Sequence, residues 1–448
     1  MKFVIKATLI VSCYLFFMAS TSHSYEIGAS ALYENNDSDD SDDVEFEPSS
    51  FIGIPQFERN HERLTALALQ CLVDANEGRH SIEVFPSHCL SYYSKDKKIT
   101  VFNSHEDSEQ IQVIDKYKAL ISYVRWPDDP TRFIHYSKRS SGKFASLIKG
   151  GCARLKEKSG GTSESFLIFN NGLFCVSHFG KLQFLHAQAS EDGESAVQTR
   201  HLIDQWGEFA FELATSSTLW KDDYCDHWNS FEKKPGLLNL GDVMYEGSMG
   251  KEGHCDPKKN WMYPIRGLIG MFSDGPITEY YEPWKVGITF NWSCTDPVHS
   301  KTCGPYVRFN DQEKKIEAIQ LSALGSIIHQ IQDSYSKSHT ERDSESKGRQ
   351  PEIVLDRVLS YRSYSNQNSS KHGESDKWPA LINKGKTLDP IAATAKIIWL
   401  HINHSKSDVV GNTDILSVLN EVLGPQTGSD ETASAGKQYS KGNPNAAL

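Results

Sequence analysis

The chain has 448 residues, 38% of them hydrophobic and 23% charged, with a formal net charge of −11. That length accommodates about two or three domains, or one large one. The composition excludes collagen-like, coiled-coil and wholly disordered chains, and the long apolar run is confined to the N-terminus, which excludes a polytopic membrane protein.

The N-terminus reads Met1-Lys2-Phe3-Val4-Ile5-Lys6, then an apolar stretch from Ala7 to Ala19, then small and polar residues to Ser24. A positive start, a short apolar run and a small-residue exit predict a secretory signal peptide over residues 1–24. The apolar run is too short for a membrane anchor, and Cys13 lies inside it, which argues against lipidation. Without Lys2, Lys6 and Cys13 the net charge becomes −13 and eight cysteines remain: Cys71, Cys89, Cys152, Cys175, Cys225, Cys255, Cys294 and Cys303. An even number in an exported chain reads as disulfides. Sequential pairing closes loops of hairpin size, although eight cysteines leave the pairing open. No CxxC spacing supports a thiolate zinc site.

Residues 25–50 form an acidic leader, with Asp37, Asp39, Asp40, Asp42 and Asp43 close together, expected to be disordered. Helical spacing follows in five places: His61 to Asn76, Val113 to Trp126, Thr199 to Thr215, Ile316 to Ser336 and Asp389 to His401. The stretch from Pro235 to Pro305 is rich in glycine and aromatics and suits irregular loops with short strands. The polar segment 424–448 is predicted to be disordered. The expected architecture is a mainly α domain over residues 51–423, with disulfide-pinned loop insertions.

The sharpest chemical feature is Leu324-Gly325-Ser326-Ile327-Ile328-His329-Gln330-Ile331-Gln332-Asp333. His329 and Asp333 are four apart, so they share one helix face. The face is otherwise apolar, which turns both side chains inward. A buried carboxylate beside a buried imidazole needs a partner or a metal. His339 follows where the chain can fold back. Imidazole nitrogen and carboxylate oxygen are ligands that zinc accepts. The alternative is a hydrogen-bonded His–Asp pair in a core. The spacing recurs at His372 and Asp376, and again at His404 and Asp408, where polar residues after an apolar helix also suit a simple helix end.

The run His329-x3-Asp333-x5-His339 resembles zinc-dependent phospholipases C and P1/S1 nucleases, and the words around it look closest to secreted phosphatidylcholine-hydrolysing phospholipases C of Gram-negative bacteria. Other matches fall in order. His61-Glu62-Arg63-Leu64 resembles an early histidine ligand, and Trp126-Pro127-Asp128-Asp129 the family's Trp-x-Asp. Phe184-Leu185-His186 resembles its Leu-His, and His372 with Asp376 its closing pair.

The resemblance implies an α-helical enzyme holding two or three zinc ions on His61, Asp128, Asp129, His186, His329, Asp333, His339, His372 and Asp376, with Asp128 as the base. It implies hydrolysis of phosphatidylcholine at a phospholipid surface; the acidic balance argues against a nucleic-acid partner, and no stable protein partner is inferred. Phe133, Tyr136 and Phe184 would meet a choline headgroup through cation–π contact. Trp284, Trp292, Tyr280 and Tyr281 would suit a lipid interface. A nuclease or nucleotidase with the same metals is the alternative, although the scattered lysine pairs make no basic stripe. A non-catalytic, metal-stabilised binding protein is the third reading. The sequence departs from the family in two ways. Nearly sixty residues separate Asp128 from His186, which requires an insertion carrying Cys152 and Cys175. An acidic leader also precedes His61, with no tryptophan at the expected mature N-terminus.

Overall fold

In the computed structural model, the residues described are 60–77, 85, 89, 117–128, 130, 176–178, 180–245, 285–290, 292–294, 303–305, 312–342, 357–368, 371–372, 375, 388–424 and 431–440. The expected signal peptide and leader, along with Asp129, Phe133, Tyr136, Cys152, Cys175, Cys255, Tyr280, Tyr281, Trp284 and Asp376, lie outside them. Of the described part, 61% is helical and 8% strand, so it is mainly α. None of its helices is long and apolar enough to cross a membrane.

The helices are α1 (Asn60–Glu77), α2 (Leu120–Tyr123), α3 (Ala196–Thr215), α4 (Tyr224–Asn229), α5 (Leu240–Tyr245), α6 (Gln312–Asp333), α7 (Pro390–Asn403), α8 (Ser407–Val410) and α9 (Ile415–Leu423). Two antiparallel ribbons accompany them: β1 (Trp292–Cys294) with β2 (Cys303–Pro305), and β3 (Thr340–Arg342) with β4 (Val358–Tyr361).

The starts of several helices are written in the sequence. Ser195 accepts a bond from the Gln198 amide at the start of α3. Asp389 accepts from the Ala392 amide, with Pro390 in the first turn of α7. Asp414 accepts from the Ser417 amide at the start of α9. Each side chain satisfies an amide that has no partner inside its helix.

α6 is the axis of the fold. Every residue from Leu321 to Ser336 is buried, polar ones included, because neighbouring elements enclose this part of the chain. It packs against α3, α2, α7, α1 and the 3-10 turn Gln183–His186. Trp206 of α3 donates from Nε1 to Ser326 Oγ at 3.0 Å, and its ring stacks on Trp126 with centroids 5.9 Å apart.

The helix expected from Val113 onward is described only as α2 and the turns around it. It stops there for a local reason. An α-helical bond to the Tyr123 carbonyl would come from residue 127, which is proline and has no N–H. The Trp126 amide takes that carbonyl instead, at 3.0 Å. Gly325 of α6 sits directly against this end. A Cβ at position 325 would lie 2.5 Å from Tyr123 O and 2.9 Å from Val124 N.

Cys71 and Cys89 form a disulfide, as sequential pairing expects. The register of β1 and β2 sets Cys294 opposite Cys303. Cys225 is also disulfide-bonded. Within the polar segment past residue 424, the described residues 431–440 differ from the expectation of disorder. Residues 431–440 are docked by bridges between Thr432 and Ser195 and between Ser440 and Gln367. Composition marks that segment as polar, but its docking is made by main-chain bonds that composition does not encode.

The tight contact at Gly325 yields a prediction. Gly325→Ala should destabilise the protein by about 1–3 kcal/mol through overpacking against backbone, read as a lowered urea midpoint at unchanged slope.

Candidate metal centre

α6 presents His329 and Asp333 one turn apart, near its C-terminal end. His61, at the start of α1, lays its ring on that of His329, with centroids 3.8 Å apart. The turn after α2 brings Asp128, the 3-10 turn brings His186, and the chain after α6 folds back with His339.

Asp333 is the hub. His61 Nε2 lies 3.3 Å from its Oδ1. His186 Nδ1 and His329 Nε2 each lie 3.0 Å from its Oδ2, and His339 Nδ1 lies 3.7 Å away. Asp128 Oδ1 faces the same space, 3.6 Å from His329 Nε2 and 3.9 Å from His186 Nδ1. His372 stacks on His339 with ring centroids 4.8 Å apart.

The orientation of these rings is fixed from outside the cluster. The hydroxyls of Thr65 and Thr394 donate to the carbonyls of His61 and Pro390. That leaves their oxygens free to accept from Gln332 Nε2, at 3.1 and 3.0 Å. Gln332 Oε1 therefore points at His61 Nδ1, 2.9 Å away, and Nδ1 carries the hydrogen. His329 Nδ1–H donates to the Val124 carbonyl at 3.0 Å, and His339 Nδ1–H to the His186 carbonyl at 2.5 Å. His372 Nδ1–H donates to Gln367 Oε1 at 2.6 Å. Four imidazoles thus have one nitrogen tied to an acceptor, which sets the tautomer and turns Nε2 away from that acceptor. This is the arrangement expected of metal-ligating histidines.

The electrostatics follow from burial. Asp128, His186, His329, Asp333, His339 and His372 are all buried. Burial alone would push the Asp333 carboxyl up, but His329, His339 and His61 hold it well below the usual carboxylate range. Burial works against the charge on His61, yet the Asp333 carboxylate raises it to about 10. Burial, with His61 alongside, lowers His329 to about 4. His186 is also lowered, chiefly by burial. Burial pushes Asp128 up to about 6, against the pull of His61 and His186.

The donor set suits a divalent metal. Two groups keep their ligand atoms within 4.8 Å of one another: His61, His329 and Asp333, and Asp128, His186 and His329. Two donors on a tetrahedral zinc, with bonds of about 2.1 Å, sit about 3.4 Å apart. The separations here, 3.0–3.9 Å, bracket that value. Asp128 Oδ1 is buried with no hydrogen-bond partner, an arrangement that is costly unless something positive meets it.

Of the residues singled out in the sequence, His61, Asp128, His186, His329, Asp333 and His339 converge, and His372 adjoins them. Asp129, Asp376, Phe133 and Tyr136 lie outside the described residues. Phe184 is fully buried and packs edge-on against Trp206, so it serves the core rather than offering a face to a headgroup. His404 and Asp408 are exposed, at a helix end.

Several residues were not foreseen. Gln332 and Gln367 orient two histidines. Arg125 and Glu62 form a buried ion pair at 3.1 Å that ties the Asp128 turn to the start of α1. His178 is buried with its ring 4.9 Å from that of His186. Only Gln332 carried a sequence signal, lying on the inner face of α6 beside Asp333.

The chain matches no known family model, no curated protein and no solved structure.

Gln332→Ala removes no ligand atom, but it takes away the acceptor for His61 Nδ1 together with the bonds to Thr65 and Thr394. Zinc affinity should fall about 10–100-fold, measured by competition with a chromophoric chelator.

Proposed function

We propose that the chain is an exported zinc phosphodiesterase, acting as a phospholipase C on phosphatidylcholine-type lipids. The observation that carries this reading is the convergence of three imidazoles and two carboxylates, from four separate segments, on one buried space, with His339 beside them. A core needing only a satisfied His–Asp pair has no use for that number of donors. His61, His329 and Asp333 would hold one ion, Asp128 and His186 a second, and His339 with His372 lie where a third would be completed. Bound zinc supplies Lewis acidity, neutralising phosphoryl charge and making water a stronger acid.

The protein's own groups do the rest. Asp128 orients the attacking water and accepts its proton. The water oxygen bonds to phosphorus as the bond to the diacylglycerol oxygen breaks. The expelled alkoxide takes up a proton from solvent water while Asp128 releases the one it accepted, leaving diacylglycerol and phosphocholine. Gln332, Val124 and the His186 carbonyl hold the imidazoles still, so that little reorganisation accompanies the reaction. The net charge of −11 favours a zwitterionic lipid over a polyanion. Export through residues 1–24 places the enzyme where such lipids and oxidised cysteines are found.

Purified zinc-loaded protein should release phosphocholine from phosphatidylcholine vesicles, and a chelator should abolish the release. Asp128→Asn should lower kcat about 10²–10⁴-fold. A folded, zinc-loaded sample that leaves vesicles intact but degrades single-stranded DNA would replace the lipid reading with the nuclease one.

A further inference from the structure

We infer that residues 431–440 are part of the metal centre: a strap that, through Gln367, positions the His339–His372 pair. The inference rests on the zinc reading above and goes beyond it, because no residue of the strap is a ligand.

The strap runs along the segment that carries His372. The Ser363 amide donates to Ser434 O at 3.1 Å, and the Asn368 amide to Tyr439 O at 2.6 Å. The His372 amide in turn donates to Asn368 O at 3.0 Å. Gln367 stands at the crossing. Its Nε2 donates to Ser338 O at 2.7 Å and to Ala435 O of the strap at 3.2 Å. Both acceptors are carbonyls, so the amide group cannot turn round, and Oε1 must face His372 Nδ1. The strap carbonyl thus helps fix which nitrogen of His372 carries the hydrogen. Ser338 is the neighbour of His339, so the same amide group braces both histidines.

Two further contacts hold the strap down. Arg362 lies over the Tyr439 ring at 5.8 Å, and the Tyr439 hydroxyl reaches Ser375 Oγ at 3.4 Å. Ser375 Oγ also accepts from the Ser338 amide at 3.1 Å. Gly436 has φ of +75°, and a Cβ there would lie 2.3 Å from Arg362 Nη1. This position therefore needs glycine for its backbone conformation, and a Cβ there would also push the end of the Arg362 side chain aside. Hydrogen-bond partners of ligating histidines matter nearly as much as the ligands themselves, and here one such partner is held in place by residues more than sixty positions away in the chain.

The test uses the full chain in three forms: Gln367→Leu, Gly436→Val and the milder Tyr439→Ala. Zinc content is measured by elemental analysis after dialysis against buffered zinc, and the visible spectrum is recorded after cobalt substitution. Each variant should bind one ion about 10–100-fold more weakly than wild type, with the remaining ions retained and one component of the cobalt spectrum changed. Tyr439→Ala, which leaves every main-chain bond of the strap possible, should show the smallest change. Variants that load zinc and give the wild-type cobalt spectrum, while protease cuts faster at Lys437, would show a freed strap without effect and overturn the inference. Uniform loss of all ions together with the folded circular-dichroism signal would make the strap a general stabiliser and overturn it too. Wild type binding no zinc would defeat the zinc reading itself, and the inference with it.

Discussion

The rest of this structure answers to one buried anion. Asp333 is 3% exposed and sits at the C-terminal end of a 22-residue helix. That is the wrong end for a carboxylate, because the helix dipole already places negative charge there, a mismatch of about 0.3–1 kcal/mol. Burial adds a far larger cost unless the charge is matched. Four imidazoles crowd around it, and His61, raised to about 10, supplies the positive charge. Those imidazoles create the next requirement, since a crowd of buried rings needs its polar atoms satisfied one by one. Val124, His186, Gln332 and Gln367 are the answers, and each recruits a segment of chain to the centre.

The segments arrive by close backbone approach. Gly325 lets the Tyr123–Val124 peptide lie on α6, which is what makes the Val124 carbonyl available to His329. Pro127 ends the helical bonding just before Asp128 and so releases the turn that carries it. The Arg125–Glu62 pair then ties that turn to α1, beside His61. Buried ion pairs contribute little net stability but resist being broken. This one lies between two elements that must keep a fixed separation if His61 and Asp128 are to share a site.

Much of this was legible in the sequence, and the reasons divide by range. The periodic apolar residues of α1, α3, α6 and α7 marked those helices, and the four-residue spacing of His329 and Asp333 placed both on the inner face. His61, Asp128 and His186 were found through the order of short motifs rather than through periodicity. Gln367, Arg125 and His178 left no signal, because a glutamine or arginine acquires its role only from partners that the fold brings up. The segment 431–440 was missed for a related reason. Glycine, serine and threonine suggest a solvated tail, yet small residues are what a strap needs to lie flat and bond through its main chain. Phe184 was misjudged in the other direction. An aromatic residue two positions from a ligand looked like a headgroup contact, but a 3-10 turn directs successive side chains to different sides, and Phe184 points into the core.

The arrangement of Asp333 bears on how many ions the cluster is built for. Its Oδ1 faces His61, while its Oδ2 faces His186, His329 and His339. Here the two oxygens look to different sets, and His329 is common to both candidate groups although its one available lone pair serves one ion at a time. With a single ion bound, His329 can side with either group. If two were bound, it would serve one of them, and Asp333, whose oxygens face different imidazoles, would stand between the groups. On the zinc reading, a residue common to both groups would make them an adjacent pair of sites.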